Sequence, residues 1–196
     1  QTSRQGCVNI HDAIDSKRIM SFVVISLLPA LFFGMYNVGY QNYAAAGTLA
    51  DSTFWDLFIF GFLAVLPKIL VSYIVGLGIE FVVAQWKNEE IQEGFLVSGI
   101  LIPMIIPVNT PLWTLALAVA FSVIIAKEIF GGTGMNIFNP ALITRAFLFF
   151  SYPSVMTGDD NVWVAQESIF GFGNNLPDTF TAATPLGEAA VGNAVP

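Results

Sequence analysis

Long apolar runs broken by short polar stretches dominate the chain, and their unequal lengths predict five membrane-grade segments. The first extends from about Ile19 to Tyr36, after Asp15, Lys17 and Arg18. At a rise of about 1.5 Å per residue it can cross about 30 Å of hydrocarbon as a helix. The second, Phe54 to Trp86, exceeds one perpendicular crossing and contains Pro67, Lys68, Gly76, Gly78 and Glu80. Tilt, or a kink at Pro67, accommodates that excess. The third, Phe95–Ile106, is short, and Pro103, Pro107, Asn109 and Pro111 break its far end. It reads as a half-helix or re-entrant segment. The fourth, Leu112–Ala126, ends at Lys127 and Glu128, and the fifth, Pro140–Phe150, is again short and carries Arg145. Irregular backbone at membrane depth is tolerated only where protein or a polar cavity satisfies it, so these interrupted segments imply a site rather than a plain anchor.

Charge orients the segments. A cytoplasmic N-terminus puts Arg4, Lys17, Arg18, Lys87 and Lys127 on the cytoplasmic side, whereas the stretches 37–53, 108–111 and the tail after Ser151 contain no Lys or Arg. This positive-inside pattern predicts that the tail lies outside the cytoplasm, which in a Gram-negative bacterium is the periplasmic face of the inner membrane. The predicted organisation is a cytoplasmic segment at 1–18, a membrane domain at 19–153 and an outer-face loop at 154–196.

Composition agrees and narrows the chemistry. Hydrophobic residues make up 55% of the chain and charged residues 11%, against about a quarter charged in soluble domains. The net charge of −7, without a basic cluster, argues against nucleic-acid binding. Cys7 is the only cysteine and His11 the only histidine, so the chain alone cannot assemble a disulfide or a Cys/His metal site. Both read as ordinary residues near a terminal segment, and a redox role would need an organic cofactor. A start at Gln1 suggests a fragment or processed product, and no cleavable signal peptide is visible.

Two motifs remain. The run FGGTGMNIFNPAL after Glu128 has the glycines of a nucleotide loop, but its spacing fits neither a P-loop nor GxGxxG, and no predicted strand precedes it. The competing reading is a tight connection, with Asn139 as N-cap and Pro140 at N1 of the next helix. The free N–H groups of that helix start could still serve an anionic or carbonyl oxygen. The second motif is Asp178–Leu186, DTFTAATPL, a cluster of hydroxyls and small residues in polar sequence.

That last segment resembles the flavin-attachment motif D-x-x-S-G-A-T, with Thr181 and Ala182 in place of the usual Ser and Gly. The runs HDAIDSKRIM, LLPALFFGMYNVG, YIVGLGIE, EGFLVSGILIPMIIP, KEIFGGTGMNIFNPALITRAFLFFSYP and TFTAATPL occur in the order found in the B subunit of the sodium-translocating NADH:quinone reductase. More distantly the chain is similar to the D subunit of the Rnf complex. The resemblance implies an all-α integral membrane protein with about five transmembrane or half-membrane helices. These would form one of two inverted repeats, followed by an extramembrane flavin-bearing loop.

It further implies that Thr184 receives FMN through a phosphoester bond made by a flavin transferase, with Thr181 and Asp178 part of the same site. Riboflavin is implied as a second flavin, with no residues assigned to it. Glu80 matches an acidic position linked to Na⁺ uptake, and an ionisable group at membrane depth is a functional candidate by default. Its structural alternative is pairing with Lys68 or a place near the interface, although a spacing of twelve residues suits a same-helix pair poorly. Gly76 matches the first residue of a glycine pair tied to quinone binding. Leu77 stands at the second place and Gly78 follows; helix packing is the competing reading of both glycines. Lys68 stands where an apolar residue is expected. The implied partners are the other subunits of the reductase, quinone, Na⁺ and membrane lipid, with NADH oxidised on a different subunit. A flavin-free transporter or channel, and an anchoring subunit, are the alternatives.

Overall fold

A computed structural model describes residues 16–88, 94–132, 134–156 and 165–175, together with positions 189 and 192. Cys7, His11, Asp178, Thr181 and Thr184 lie outside the described residues. The elements are α1 (Ser16–Ala45), a single 3₁₀ turn (Leu49–Asp51), α2 (Phe54–Lys87), α3 (Phe95–Ile105), α4 (Leu112–Ser122), a π-helical turn (Val123–Glu128), α5 (Pro140–Ser151) and the short α6 (Pro153–Met156). Among the described residues the only strand-like pairing is one isolated bridge, Ile169 to Phe172.

Helices α1 and α2 pack against each other along much of their length. Two glycines make this possible. A methyl group on Gly39 would overlap the Leu57 backbone, and one on Gly61 would overlap the Met35 backbone. Small residues that let two backbones touch are how apolar helices associate where the hydrophobic effect offers little. Helix α2 begins with Asp56 accepting from the Thr53 backbone N–H at 3.0 Å and ends at Asn88, which adopts φ 54°. Its buried positions, Leu57, Phe60, Gly61, Ala64, Lys68, Ser72, Gly76 and Glu80, recur every three or four residues and form one face. Helices α3 and α4 close on that face, and α5 packs behind them. Phe95, Ile102, Leu115, Val119, Val123 and Leu148 form the centre of the core.

The short segments behave as broken helices. Helix α3 has 11 residues and α5 has 12, about 16–18 Å each, or roughly half the hydrocarbon thickness. Arg145 on α5 donates to the carbonyl of Ile105, the last residue of α3. A carbonyl freed by the break at Ile106 and Pro107 is thus satisfied by a side chain, as a helix end inside a bundle requires. Asn139 caps α5, its Oδ1 accepting from the Ala141 N–H at 2.9 Å, with Pro140 next in sequence. The glycine-rich run is a connection: Gly131, Gly132 and Gly134 take φ of 106°, 90° and 92°, and the Gly132 N–H donates to the Lys127 carbonyl at 3.0 Å. That left-handed backbone is why glycine recurs there.

The first helix runs nine residues beyond the boundary that hydropathy predicts, to Ala45. The extension is polar because it is the anchor for a distant segment. Asn42 is fully buried; its Nδ2 donates to the carbonyls of Gln166 at 2.6 Å and Asn174 at 3.1 Å, and its Oδ1 accepts from the Asn174 N–H at 2.9 Å. Asn174 Nδ2 donates to Thr48 Oγ1 at 2.8 Å, and Gly173, with φ 80°, packs against Phe60 and Asn42. Residues 165–175 are thereby clamped over the start of α2 and the end of α1. This defines an Asn42 end of the bundle; the other is the Lys87 end, which carries the π turn, the glycine connection and the start of α5.

Candidate functional site

Polar groups on the inner face of α2 lead toward the Lys87 end. Lys68, one residue after Pro67, is 7% exposed and donates to the Ala64 carbonyl at 3.1 Å. Its ammonium is therefore engaged one turn back on its own helix and does not meet Glu80. One turn further on, Ser72 Oγ is buried without a hydrogen-bond partner. At Gly76 the missing side chain is replaced by the ring of Phe95, which a methyl group there would overlap. Gly78 faces the opposite way, with open space around it. The two glycines expected at a quinone site thus do not line one pocket in this arrangement: Gly76 is a packing notch and Gly78 a surface position.

Glu80 completes the face, and its partner comes from elsewhere in the chain. Lys127, in the π turn 47 residues away, donates to Glu80 Oε1, and each side chain is only 4% exposed. Glu80 Oε2 is buried with no partner. A carboxylate and an ammonium removed from water need each other, because leaving either alone in a low dielectric costs several kcal/mol, roughly 3–5 when one partner is deleted. By sequence alone Lys127 is only a charge flanking a span. Its place after the apolar run FSVIIA, with Ile129 and Phe130 following Glu128, is the one signal that could have marked it as buried.

The π turn sets the geometry. Ile129 N–H donates to the Ile124 carbonyl at 3.1 Å, a five-residue closure, so Lys127 projects toward α2 while Glu128 turns toward Lys87. There the Lys87 ammonium lies 3.5 Å from Glu128 Oε2 and 3.1 Å from its carbonyl. Single π turns inside α-helices occur frequently at functional sites.

On its other side Lys127 lines an open cleft of about 410 Å³. The walls are the start of α3 (Gly94, Phe95, Ser98), the loop Gly134–Asn139, Pro140 of α5 and Met20 of α1. Within the loop, Asn136 Oδ1 accepts from the Gly134 N–H at 3.2 Å and its Nδ2 donates to the Phe138 carbonyl at 2.9 Å. The cleft wall therefore combines polar loop groups, aromatic side chains and, among the described residues, one cation. Among the described residues no cluster of three or more His, Cys, Asp or Glu could hold a metal ion.

Two helices, Arg18–Ala45 and Phe54–Lys87, are long and apolar enough to cross a membrane, and large apolar side chains such as Phe22, Phe33, Ile74, Trp86 and Phe150 stand on the surface. With broken helices and a buried ion pair inside, this defines a helical membrane protein built around a polar interior. The chain belongs to the NQR2, RnfD, RnfE family, whose pattern it matches over residues 5–195. It is 41% identical over 205 residues to the B subunit of the Na(+)-translocating NADH-quinone reductase of Ectopseudomonas mendocina, covering 94% of this chain and 48% of that protein. The subunits of the same name from Chromohalobacter salexigens and Stutzerimonas stutzeri are 40% and 38% identical, covering 93% and 94% of this chain and 46% and 52% of theirs. The chain thus spans about half the length of the curated relatives it matches.

Proposed function

We propose that this chain is the flavin-bearing part of a membrane redox subunit that passes electrons toward quinone in a sodium-translocating NADH:quinone reductase. The observation that carries the reading is the Glu80–Lys127 pair, buried against a 34-residue apolar helix in a bundle of this family. A carboxylate at that depth is retained where charge has work to do. In this reading the Lys87 end faces the cytoplasm and the Asn42 end the outer side, in keeping with the distribution of Lys and Arg. The chain makes up one of two inverted repeats, and the other subunits of the complex supply NADH oxidation.

Thr184 is the covalent attachment point for FMN, with Asp178 and Thr181 beside it. Support comes from the sequence DTFTAATPL and from the clamp on residues 165–175, which ends only a few positions earlier. In the same reading riboflavin, the family's second flavin, occupies the cleft beside Lys127, whose volume and Phe138 ring suit a planar ring, while Asn136 and Asn139 hold the loop in shape. A flavin there would supply one-electron chemistry, while Lys127, paired with Glu80, stays in the cleft wall and Asn139 holds the start of α5 in place. Glu80 is the carboxylate on the Na⁺ path. Quinone would approach α2 on the open side at Gly78, or at Gly76 if the Phe95 ring swings aside.

Flavin fluorescence on a denaturing gel tests the attachment. With the flavin transferase present, the wild-type band is expected to fluoresce and a Thr184→Ala band to stay dark. A dark wild-type band would exclude covalent flavin and favour the flavin-free transporter that the broken helices α3 and α5 also suit.

A further inference from the structure

Glu80 presents a half-used carboxylate. One oxygen is taken by Lys127, the other is buried without a partner, and the whole side chain is only 4% exposed. A bare metal cation seeking oxygen ligands finds the best available anion already neutralised by a tethered ammonium. Lys127 itself also forms part of the cleft wall. The other carboxylate nearby in sequence, Glu128, is engaged by Lys87. Among the described residues, an ammonium leaving Glu80 therefore finds one direction open to it: into the cleft, toward an anionic or electron-rich group held there.

We propose that Lys127 is a built-in competitor for the transported cation at Glu80. While its ammonium sits on the carboxylate the site is closed to Na⁺; when negative charge in the cleft draws the ammonium away, one cation takes its place. Charge balances throughout, since one positive charge leaves the carboxylate and one arrives. The inference rests on the proposed place of Glu80 on the ion path and adds the residue that controls access to it. Lys127 acts here as a positioning residue: it regulates occupancy and touches no reacting atom.

Equilibrium binding of ²²Na⁺ to the purified, intact complex provides the test, alongside its thermal midpoint in sodium chloride against choline chloride. Lys127→Gln is expected to lower the half-saturating Na⁺ concentration by about tenfold or more, the factor by which a site free only a tenth of the time hides its intrinsic affinity. The variant should also gain more thermal stability from Na⁺ than wild type does, because Na⁺ then supplies the missing counter-charge. Lys127→Arg, whose fork can engage both carboxylate oxygens, is expected to raise the half-saturating concentration. Unchanged or weaker Na⁺ binding in Lys127→Gln would overturn the proposal. If that variant fails to assemble, the Arg variant decides: a rise supports competition and no change overturns it. Glu80→Gln separates the two layers. Lost binding there with unaltered Lys127 variants removes only the competitor, whereas retained binding removes Glu80 from the ion path and the competitor with it.

Discussion

At the Asn42 end of the bundle, amide groups of Asn42, Gln166 and Asn174 close a neutral clamp, whereas at the Lys87 end Glu80, Lys87, Lys127 and Glu128 meet as ions. Both ends bury polar atoms, and both join segments far apart in the chain. The difference lies in what can disturb them. An amide clamp responds little to a passing charge, so it suits a fixed platform for the chain that leads to Thr184. An ion pair responds to every charge brought near it, more strongly in a low dielectric than in water. The neutral end holds position, and the charged end can report on its surroundings.

Loss of Lys127 should upset this division most severely. Lys127→Met strands Glu80 and should lower stability by about 3–5 kcal/mol, while Lys127→Met combined with Glu80→Leu should recover most of that loss, as replacing a whole buried pair often does. Thermal unfolding of wild type, both single variants and the double variant in one detergent measures the coupling. Gly61→Val would force the α1 and α2 backbones apart at Met35 and is expected to cost about 3 kcal/mol, read as a lower midpoint. At the neutral end, Asn42→Ala leaves the Asn174 N–H and two carbonyls without partners. A cost of about 2 kcal/mol follows, together with faster proteolysis within residues 165–175 and a weaker fluorescent band at Thr184. The smallest effect belongs to Lys87→Ala, whose partner Glu128 sits at the margin of the bundle. Its lysine side chain is 37% exposed, so the loss should stay below about 1 kcal/mol. If Lys87→Ala proved as damaging as Lys127→Met, burial would not be what distinguishes the two pairs.

How much of this was legible in the sequence depends on the range of the interaction. The α2 span, the brevity of α3 and α5 and the Asn139–Pro140 start are local properties, and hydropathy and capping chemistry locate them within a residue or two. The end of α1 is not local. Asn37, Gln41 and Asn42 read as loop by composition, but the backbone stays helical because a segment more than 120 residues later satisfies Asn42. The π turn has no residue signature, and the partner of Glu80 depends on it. Lys68, the cation on the same helix, is the wrong candidate because its ammonium is engaged one turn back, at Ala64. For Gly76, sequence leaves ligand approach and helix packing equally open, and the Phe95 ring occupies the notch. Thr184 rests on motif and resemblance, since it lies outside the described residues.

The π turn at Val123–Glu128 is a stretch of helix carrying one residue too many for its regular winding. That surplus lies at the C-terminal end of α4, directly before the glycine connection, and it sets the angle at which Lys127 leaves the helix, as the cut of a key sets the lock it fits. Removing it would turn every side chain beyond the deletion by about 100°. Deleting one residue between Val123 and Ala126 is therefore expected to swing Lys127 off Glu80 and leave the carboxylate without its ammonium.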